Sequence, residues 1–101
     1  MPGILSGQQT GSTSGQLLIP GNPYRKSLLF TNLDAAINVF VAQLEPTVIT
    51  TANAGVRLTP GQSLTLNVND DGFYQVTERW SFIAASGTPI VAVFETESIR
   101  R

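Results

Sequence analysis

Cysteine and histidine are both absent from the chain. Without thiols or imidazoles it has no disulfide, no zinc site built from thiolate or imidazole, and no Cys-His or Ser-His-Asp catalytic arrangement. Only carboxylate, Lys, Ser, Thr or Tyr chemistry remains, and the carboxylates fall mostly in predicted turns or near the C-terminus, where they act as solvating charges. We therefore expect a protein that is not an enzyme and that holds no cofactor or metal.

Charge is also scarce. Charged residues make up 13% of the chain against 42% hydrophobic residues, below the usual share of about a quarter, which suggests that part of the surface docks against other subunits. A net charge of -1 provides no field to attract nucleic acid or an anionic membrane. No apolar run reaches the ~18 residues of a membrane span, and the N-terminus lacks the pattern of a secretory signal. We expect one domain, with neither nucleic acid nor membrane as a partner.

Residues 1–16 consist of Gly, Ser, Thr and Gln apart from Ile4 and Leu5 and a few other residues. Such a composition buries too little apolar surface to offset the entropy of ordering, so it predicts a flexible N-terminal arm. The arm is either a frayed terminus or a tether in which Ile4 and Leu5 contact a partner. Residues 17–101 then form a single β domain with a short basic tail, where Arg100 and Arg101 are further candidate contacts.

From Leu17 onward, short apolar runs rich in β-branched and aromatic residues alternate with turn residues, and no helical period competes. Residues 90–94 are apolar on both faces, which is typical of a central strand or an oligomer contact. The predicted strands are 17–20, 24–33, 36–43, 55–58, 63–68, 73–76, 80–85 and 89–95, with a weaker one at 47–51. This spacing predicts an all-β antiparallel sandwich or small barrel of jelly-roll or Ig-like kind, with about seven or eight short strands.

The segment from Asn67 to Glu78 nearly fits the calcium loop D-x-[DN]-x-[DN]-G-x5-E, with Asn67 in place of the first Asp. An EF-hand loop needs flanking helices, whereas the flanking residues here have the pattern of strands. The sequence therefore favours a hairpin loop in which Asp71 and Gly72 supply the positive φ values of a type I′ turn.

The aromatic residues have two possible roles, core packing and ligand contact. The core is favoured for Phe30, Phe40, Phe82 and Phe94, and less strongly for Tyr24, Tyr74 and Trp80, whose rings could instead stack on sugars or bases. Arg79 beside Trp80 is a candidate partner contact, because Arg and Trp are enriched at interface hot spots.

Five stretches in order carry a family resemblance: 25–32 (RKSLLFTN), 37–41 (INVFV), 55–61 (GVRLTPG), 83–88 (IAASGT) and 91–95 (VAVFE). They are similar to small virion proteins of tailed bacteriophages, in which an R-x-x-L-x-x-x-N strand, an N-[IV]-[FY]-V strand, an [LI]-x-P-G turn and an A-x-[ST]-G-T-x-x-V-x-V hairpin recur in this order. The resemblance covers about residues 17–96.

What the resemblance implies is a capsid cement or decoration protein, which stabilises contacts between subunits of the phage head. Its partner would be the major capsid protein, it would form a homo-oligomer, most often a trimer, and it would lie on the capsid surface after synthesis in the host cytoplasm. The alternative is a β-sandwich binding module for a glycan or receptor, possibly in a head or tail fibre, built on Tyr24, Tyr74 and Trp80.

Overall fold

The computed structural model describes residues 4–97, which form two four-stranded antiparallel sheets packed face to face. The predicted all-β sandwich is therefore confirmed. Its strands are β1 (Ile4–Thr10), β2 (Gln16–Ile19), β3 (Arg25–Asn32), β4 (Val39–Ala42), β5 (Val56–Leu58), β6 (Ser63–Asn67), β7 (Trp80–Ala84) and β8 (Ile90–Glu97), with two short helices, α1 (Val68–Asp71) and α2 (Phe73–Thr77), between β6 and β7.

The strand order is that of a jelly roll. The first sheet runs β1-β8-β3-β6 and the second runs β2-β7-β4-β5. The antiparallel pairs β1·β8, β2·β7, β3·β6 and β4·β5 are nested in sequence and alternate between the two sheets. This is the pattern of one long hairpin rolled into two layers, and it selects the jelly roll from the fold types that the sequence left open.

The core lies between the sheets and follows from the two-residue alternation of the strands. In β3, Leu28 and Phe30 are fully buried and Leu29 between them is half-buried. A register shift between Arg25 and Ser27 breaks the alternation there and leaves Lys26 exposed. The Phe30 ring meets the Trp80 ring edge to face, with centroids 5.7 Å apart. The buried apolar residues of this core are Leu18, Ile19, Leu28, Phe30, Val39, Val41, Leu58, Trp80, Phe82 and Val91.

A second apolar cluster covers the outer side of the second sheet. The connection between β4 and β5 folds back so that Ile49 packs against Ala42 and Ile83, with Phe40, Leu44 and Ala54 around them. Residues 47–51, a weak strand prediction, are turns within this connection instead. The middle of the outer side of the second sheet is thus covered by the chain itself, while Leu17 on the edge strand β2 stays exposed.

Two further segments differ from the sequence prediction. Residues 4–10, which the composition placed in a flexible arm, form β1 and pair with β8 from Ile4–Thr96 to Thr10–Ile90. A polar segment can do this because ladder bonds come from the backbone and β8 has a free side to pair with.

Within residues 4–97 neither helix is long or apolar enough to cross a membrane.

Residues 73–76 were predicted as a strand but form α2, and the predicted hairpin turn at Asp71 and Gly72 is replaced by α1. The Asn67 side chain caps α1 by accepting a hydrogen bond from the Asp70 N–H at 2.9 Å, which is a standard helix N-cap. Gly72, at φ 92°, then separates the two helices, and no residue other than glycine has a positive φ among those described. Local capping therefore explains α1, whereas the backbone of α2 is held by side-chain donors from outside the helix, Gln43 and Trp80.

Candidate functional site

The outer side of the first sheet is uncovered, and we call it the open face. Leu29 of β3 lies directly opposite Phe94 of β8 in the middle of this side, and Thr65 of β6 lies opposite Leu29. The side chains of the open face described by the structure are Gln8, Thr10, Ser27, Leu29, Thr31, Ser63, Thr65, Ile90, Ala92, Phe94 and Thr96.

None of these side chains is charged, and the charged Lys26 lies beside them, exposed where β3 shifts register next to Ser27. The centre of the open face is apolar, with Phe94 37% exposed, and Ile90 at the end of β8 is 40% exposed. Around the centre, hydroxyl groups bond in pairs across the strands, with 2.6 Å between Ser27 Oγ and Thr96 Oγ1 and 2.7 Å between Thr31 Oγ1 and Ser63 Oγ. An apolar centre with a neutral, hydrogen-bonding surround matches the composition of protein–protein interfaces, which are depleted of charge at the centre.

Two charged residues of these strands, Arg25 of β3 and Glu95 of β8, are held in a buried cluster at one end of the sandwich. Arg25 Nε donates to Glu95 Oε1 at 2.9 Å. The other guanidinium nitrogens donate to the carbonyl oxygens of Pro20, Val76 (2.8 Å) and Glu78 (3.2 Å). Glu95 is therefore a structural anchor, which corrects the prediction that the carboxylates only solvate the surface.

Helix α2 displays two aromatic side chains at the same end. Phe73 is 50% exposed and Tyr74 is 69% exposed, and their rings meet edge to face at 5.4 Å. Side chains of the sandwich hold the backbone of α2 in place: Trp80 Nε1 donates to the Gln75 carbonyl at 2.9 Å, and Gln43 Nε2 donates to the Tyr74 carbonyl at 2.8 Å. The pair is thus a rigidly supported aromatic surface.

The structure does not bring the predicted contact residues together. Trp80 is buried and packs in the core, so its prediction as a partner contact is wrong. Arg79 is partly exposed and its guanidinium lies 3.5 Å from the Glu45 carboxylate. Ile4 and Leu5 belong to β1 by their backbone, and their side chains fall outside what the structure describes. Arg100 and Arg101 lie outside the described residues altogether.

The remaining aromatic predictions divide. Phe30 and Phe82 are core residues as predicted, and Phe40 is half-buried against the second cluster. Phe94, Tyr24 and Tyr74 are exposed rather than buried. Of these three exposed rings, only that of Phe94 could have been predicted from the sequence. Its strand is apolar on both faces, so one row of apolar side chains must point away from the core.

The candidate calcium loop does not assemble as one. Asp71 Oδ2 accepts the Asn67 backbone N–H at 2.9 Å, and Asp70 Oδ2 accepts the Asn67 side-chain amide at 2.9 Å. Among residues 4–97 no three His, Cys, Asp or Glu side chains come close enough to hold a metal ion. The two carboxylates serve the helix cap instead.

A small opening lies where β1 and β2 form the rim of the sandwich. Its volume is about 190 Å³, and it is lined by Gly7, Gln9, Leu18, Pro20, Val93 and Glu95 among others. A Cβ placed on Gly7 would meet nothing within 4 Å. The sandwich is therefore loosely filled beneath β1.

No protein-family model and no curated protein matches the chain. Among solved structures, the chain is similar in fold to a subunit of Bacillus endospore appendages, described as a novel family of disulfide-linked pili. The TM-score is 0.58 at 11% sequence identity, over 99% of this chain and 88% of that chain. At this identity the likeness shows the fold alone.

Proposed function

We propose that the chain is a structural virion protein, a capsid cement or decoration protein that binds the assembled phage head and stabilises contacts between capsid subunits. The main support for this proposal is the uncharged, partly apolar open face. It would be the docking surface for the major capsid protein, with Leu29 and Phe94 at its centre.

The contrast between the two sheets supports docking on the first. The second sheet covers the middle of its outer side with Ile49 and the β4–β5 connection. In the part of the chain that the structure describes, the first sheet has no such cover and leaves Phe94 and Ile90 exposed among neutral side chains. An exposed face of this kind, surrounded by polar groups, is typical of a protein interaction site.

The motif resemblance and the fold likeness both support an assembly role. The resemblance to tailed-phage virion proteins implies such a role, and the solved structure of similar fold comes from appendages described as pili. Those pili are disulfide-linked, whereas this chain has no cysteine. Its contacts would therefore be non-covalent and would depend on surface complementarity.

The test is binding to phage heads that lack the protein, compared with binding to free capsid subunits, measured by co-sedimentation. We expect Phe94→Lys to weaken binding to heads at least tenfold, because a lysine would be desolvated at an apolar contact. Leu17→Lys is the matched control, since Leu17 is 42% exposed on β2 of the other sheet, and it should bind as the parent does. Equal binding by the parent and by a folded Phe94→Lys variant would contradict the proposal.

The second candidate function is a glycan- or receptor-binding module, and the exposed Phe73–Tyr74 pair favours it. Aromatic rings held rigidly at a surface suit stacking against sugar rings. Saturable binding on a glycan array that is lost in Tyr74→Ala and kept in Phe94→Lys would select this function. The reverse pattern, with glycans ignored and head binding lost only in Phe94→Lys, would reject it.

A further inference from the structure

The two sheets have four edge strands, and three of them are protected against pairing with another chain. β2 has four residues, is followed directly by Pro20, and shifts register between Leu17 and Ile19. β5 has three residues and includes the exposed Arg57. On β6, the outward N–H of Asn67 is already bonded to the Asp71 carboxylate. Short strands, bulges, proline and charge are the usual devices that prevent edge pairing.

β1 has none of these devices. It has seven residues, ILSGQQT, with neither proline nor charge, and it pairs with β8 without a register shift. Within residues 4–97 no strand lies beyond it in the sheet.

The direction of the free backbone groups follows from the ladder. The Gly11 N–H donates to the Pro89 carbonyl at 2.7 Å, so Gly11 faces β8. Because hydrogen-bonding direction alternates along an antiparallel strand, Gly7 and Gln9 also face β8. The N–H and C=O groups of Ser6, Gln8 and Thr10 therefore point outward from the edge.

We propose that β1 pairs antiparallel with β1 of a second copy of this chain, joining two first sheets into one continuous sheet about a twofold axis. Pairing over the full strand sets Ile4 against Thr10 and Ser6 against Gln8, with Gly7 on the axis facing its mate. The outward groups then pair completely, since residues 4, 6, 8 and 10 meet only one another. The twofold contact makes about eight backbone hydrogen bonds in this register.

The chemistry of the strand favours a second copy over a different partner. In a twofold contact each residue meets symmetry-related residues of the same chain, so any charge near the axis would face a like charge. β1 carries no charge, and neither do the described side chains of the adjoining open face. Gly7 adds no side chain where the two backbones approach most closely.

A contact of one strand is smaller than the ~1,200 Å² of a stable interface, so the pair should form in a concentration-dependent manner. It deepens the proposed structural role by naming one self-contact of the subunit. The β1–β1 dimer is measured on the protein alone, without phage heads. Its failure is therefore distinguishable from a failure of head binding through Phe94. It predicts a dimer where the family resemblance implies a trimer.

Sedimentation velocity over a concentration series is the first test. We expect a monomer–dimer equilibrium that Gln8→Pro weakens at least tenfold, because proline removes an outward N–H and is tolerated where that N–H faces away from the ladder. A matched pair of charge variants separates the edge from the face: Gln8→Lys should weaken the dimer at least tenfold, and Thr65→Lys, at the other edge of the same face, less than twofold.

Amide hydrogen exchange gives a readout that needs no variant. The Ser6, Gln8 and Thr10 amides should exchange slowly only at concentrations where the dimer forms, whereas Gly7 and Gln9 should be slow at all concentrations. A monomer at every concentration up to the millimolar range would overturn the proposal. So would a trimer that Gln8→Pro leaves intact, or a dimer in which Thr65→Lys acts as strongly as Gln8→Lys.

Discussion

Arg25 and Glu95 form an ion pair that is almost completely withdrawn from water, with 2.9 Å between Nε and Oε1. Arg25 does more than pair with one carboxylate, because its guanidinium also donates to backbone carbonyls of Pro20, Val76 and Glu78. It thereby ties the β2–β3 turn and helix α2 to the first sheet. Arg25 and Glu95 mark the end of the sandwich at which the aromatic pair of α2 is displayed.

The first prediction follows from removing one partner of this pair. Arg25→Met should lower the free energy of unfolding by about 3–5 kcal/mol, because it removes the donor of three carbonyls and leaves the buried Glu95 carboxylate with the longer 3.3 Å bond from the Asn22 amide. Arg79→Met is the control: its pair with Glu45 is long and solvent-exposed, so the loss should stay within about 1 kcal/mol. Urea unfolding measures both, and equal losses in the two variants would contradict the role given to Arg25.

The second prediction contrasts two glycines. Gly7 has open space where a Cβ would lie, and its backbone is not left-handed, so Gly7→Ala should stabilise the monomer by about 0.5–1 kcal/mol. A Cβ on Gly15 would overlap the Pro46 carbonyl oxygen and crowd Ile49, so Gly15→Ala should destabilise by about 1–3 kcal/mol. Thermal unfolding at low protein concentration compares them, and a destabilised Gly7→Ala variant would show that the space beneath β1 is not open.

The third prediction concerns Asn32, which is fully buried. Its Nδ2 donates to the Ile37 and Leu58 carbonyls at 2.8 and 2.9 Å, and its Oδ1 accepts the Asp34 N–H at 3.0 Å. Asn32→Ala should cost about 2–3 kcal/mol, since buried carbonyls lose their donors. Asn32→Asp should cost more, because a carboxylate oxygen would then face both carbonyl oxygens.

Asn53 provides the control for that prediction. Its side chain also bonds the backbone, at Thr50 N–H and the Val48 carbonyl, but in an exposed loop where water can replace it. Asn53→Ala should therefore cost less than about 1 kcal/mol. Urea unfolding midpoints rank the three variants, and an Asn32→Asp variant as stable as the parent would contradict the argument.

The fourth prediction concerns calcium. Because Asp70 and Asp71 already accept hydrogen bonds from Asn67, the residue that caps α1, millimolar Ca²⁺ or excess EDTA should shift the melting temperature by less than about 1 °C. A ligand present at 100 times its Kd would instead add about 2.7 kcal/mol of stability. Asp71→Asn should be destabilising without calcium and show no calcium response. A clear rise in melting temperature on adding calcium would restore the loop as a metal site.

Sequence pattern was sufficient for the strands that bury one face. The alternation in β3 and β6, and the turn around Pro60 and Gly61, follow from side-chain periodicity and backbone constraints that are local. The doubly apolar pattern of β8 correctly indicated a central strand, which lies between β1 and β3. Local rules thus predicted the sandwich, while the order of strands depends on contacts between distant segments.

The failures share a physical cause, which is stabilisation by the backbone or by a distant partner. β1 has too few apolar residues to signal a strand, and it forms because β8 supplies ladder bonds. α2 has strand-like residues, and it forms because Trp80 and Gln43 donate hydrogen bonds to its backbone carbonyls. The Asn67 cap holds α1, the helix before it. Glu95 lies in a strand near the C-terminus, and its burial depends on Arg25, which is 70 residues away along the chain.

The nesting of the strand pairs also orders the folding reaction. The innermost pair, β4·β5, closes a short loop, and each pair that forms shortens the loop that the next one must close. The outermost pair joins Ile4 to Thr96, the most distant partners in the described chain, and such non-local pairing forms slowly. During synthesis β1 leaves the ribosome before β8, so it can take its place in the sheet only after β8 has been made.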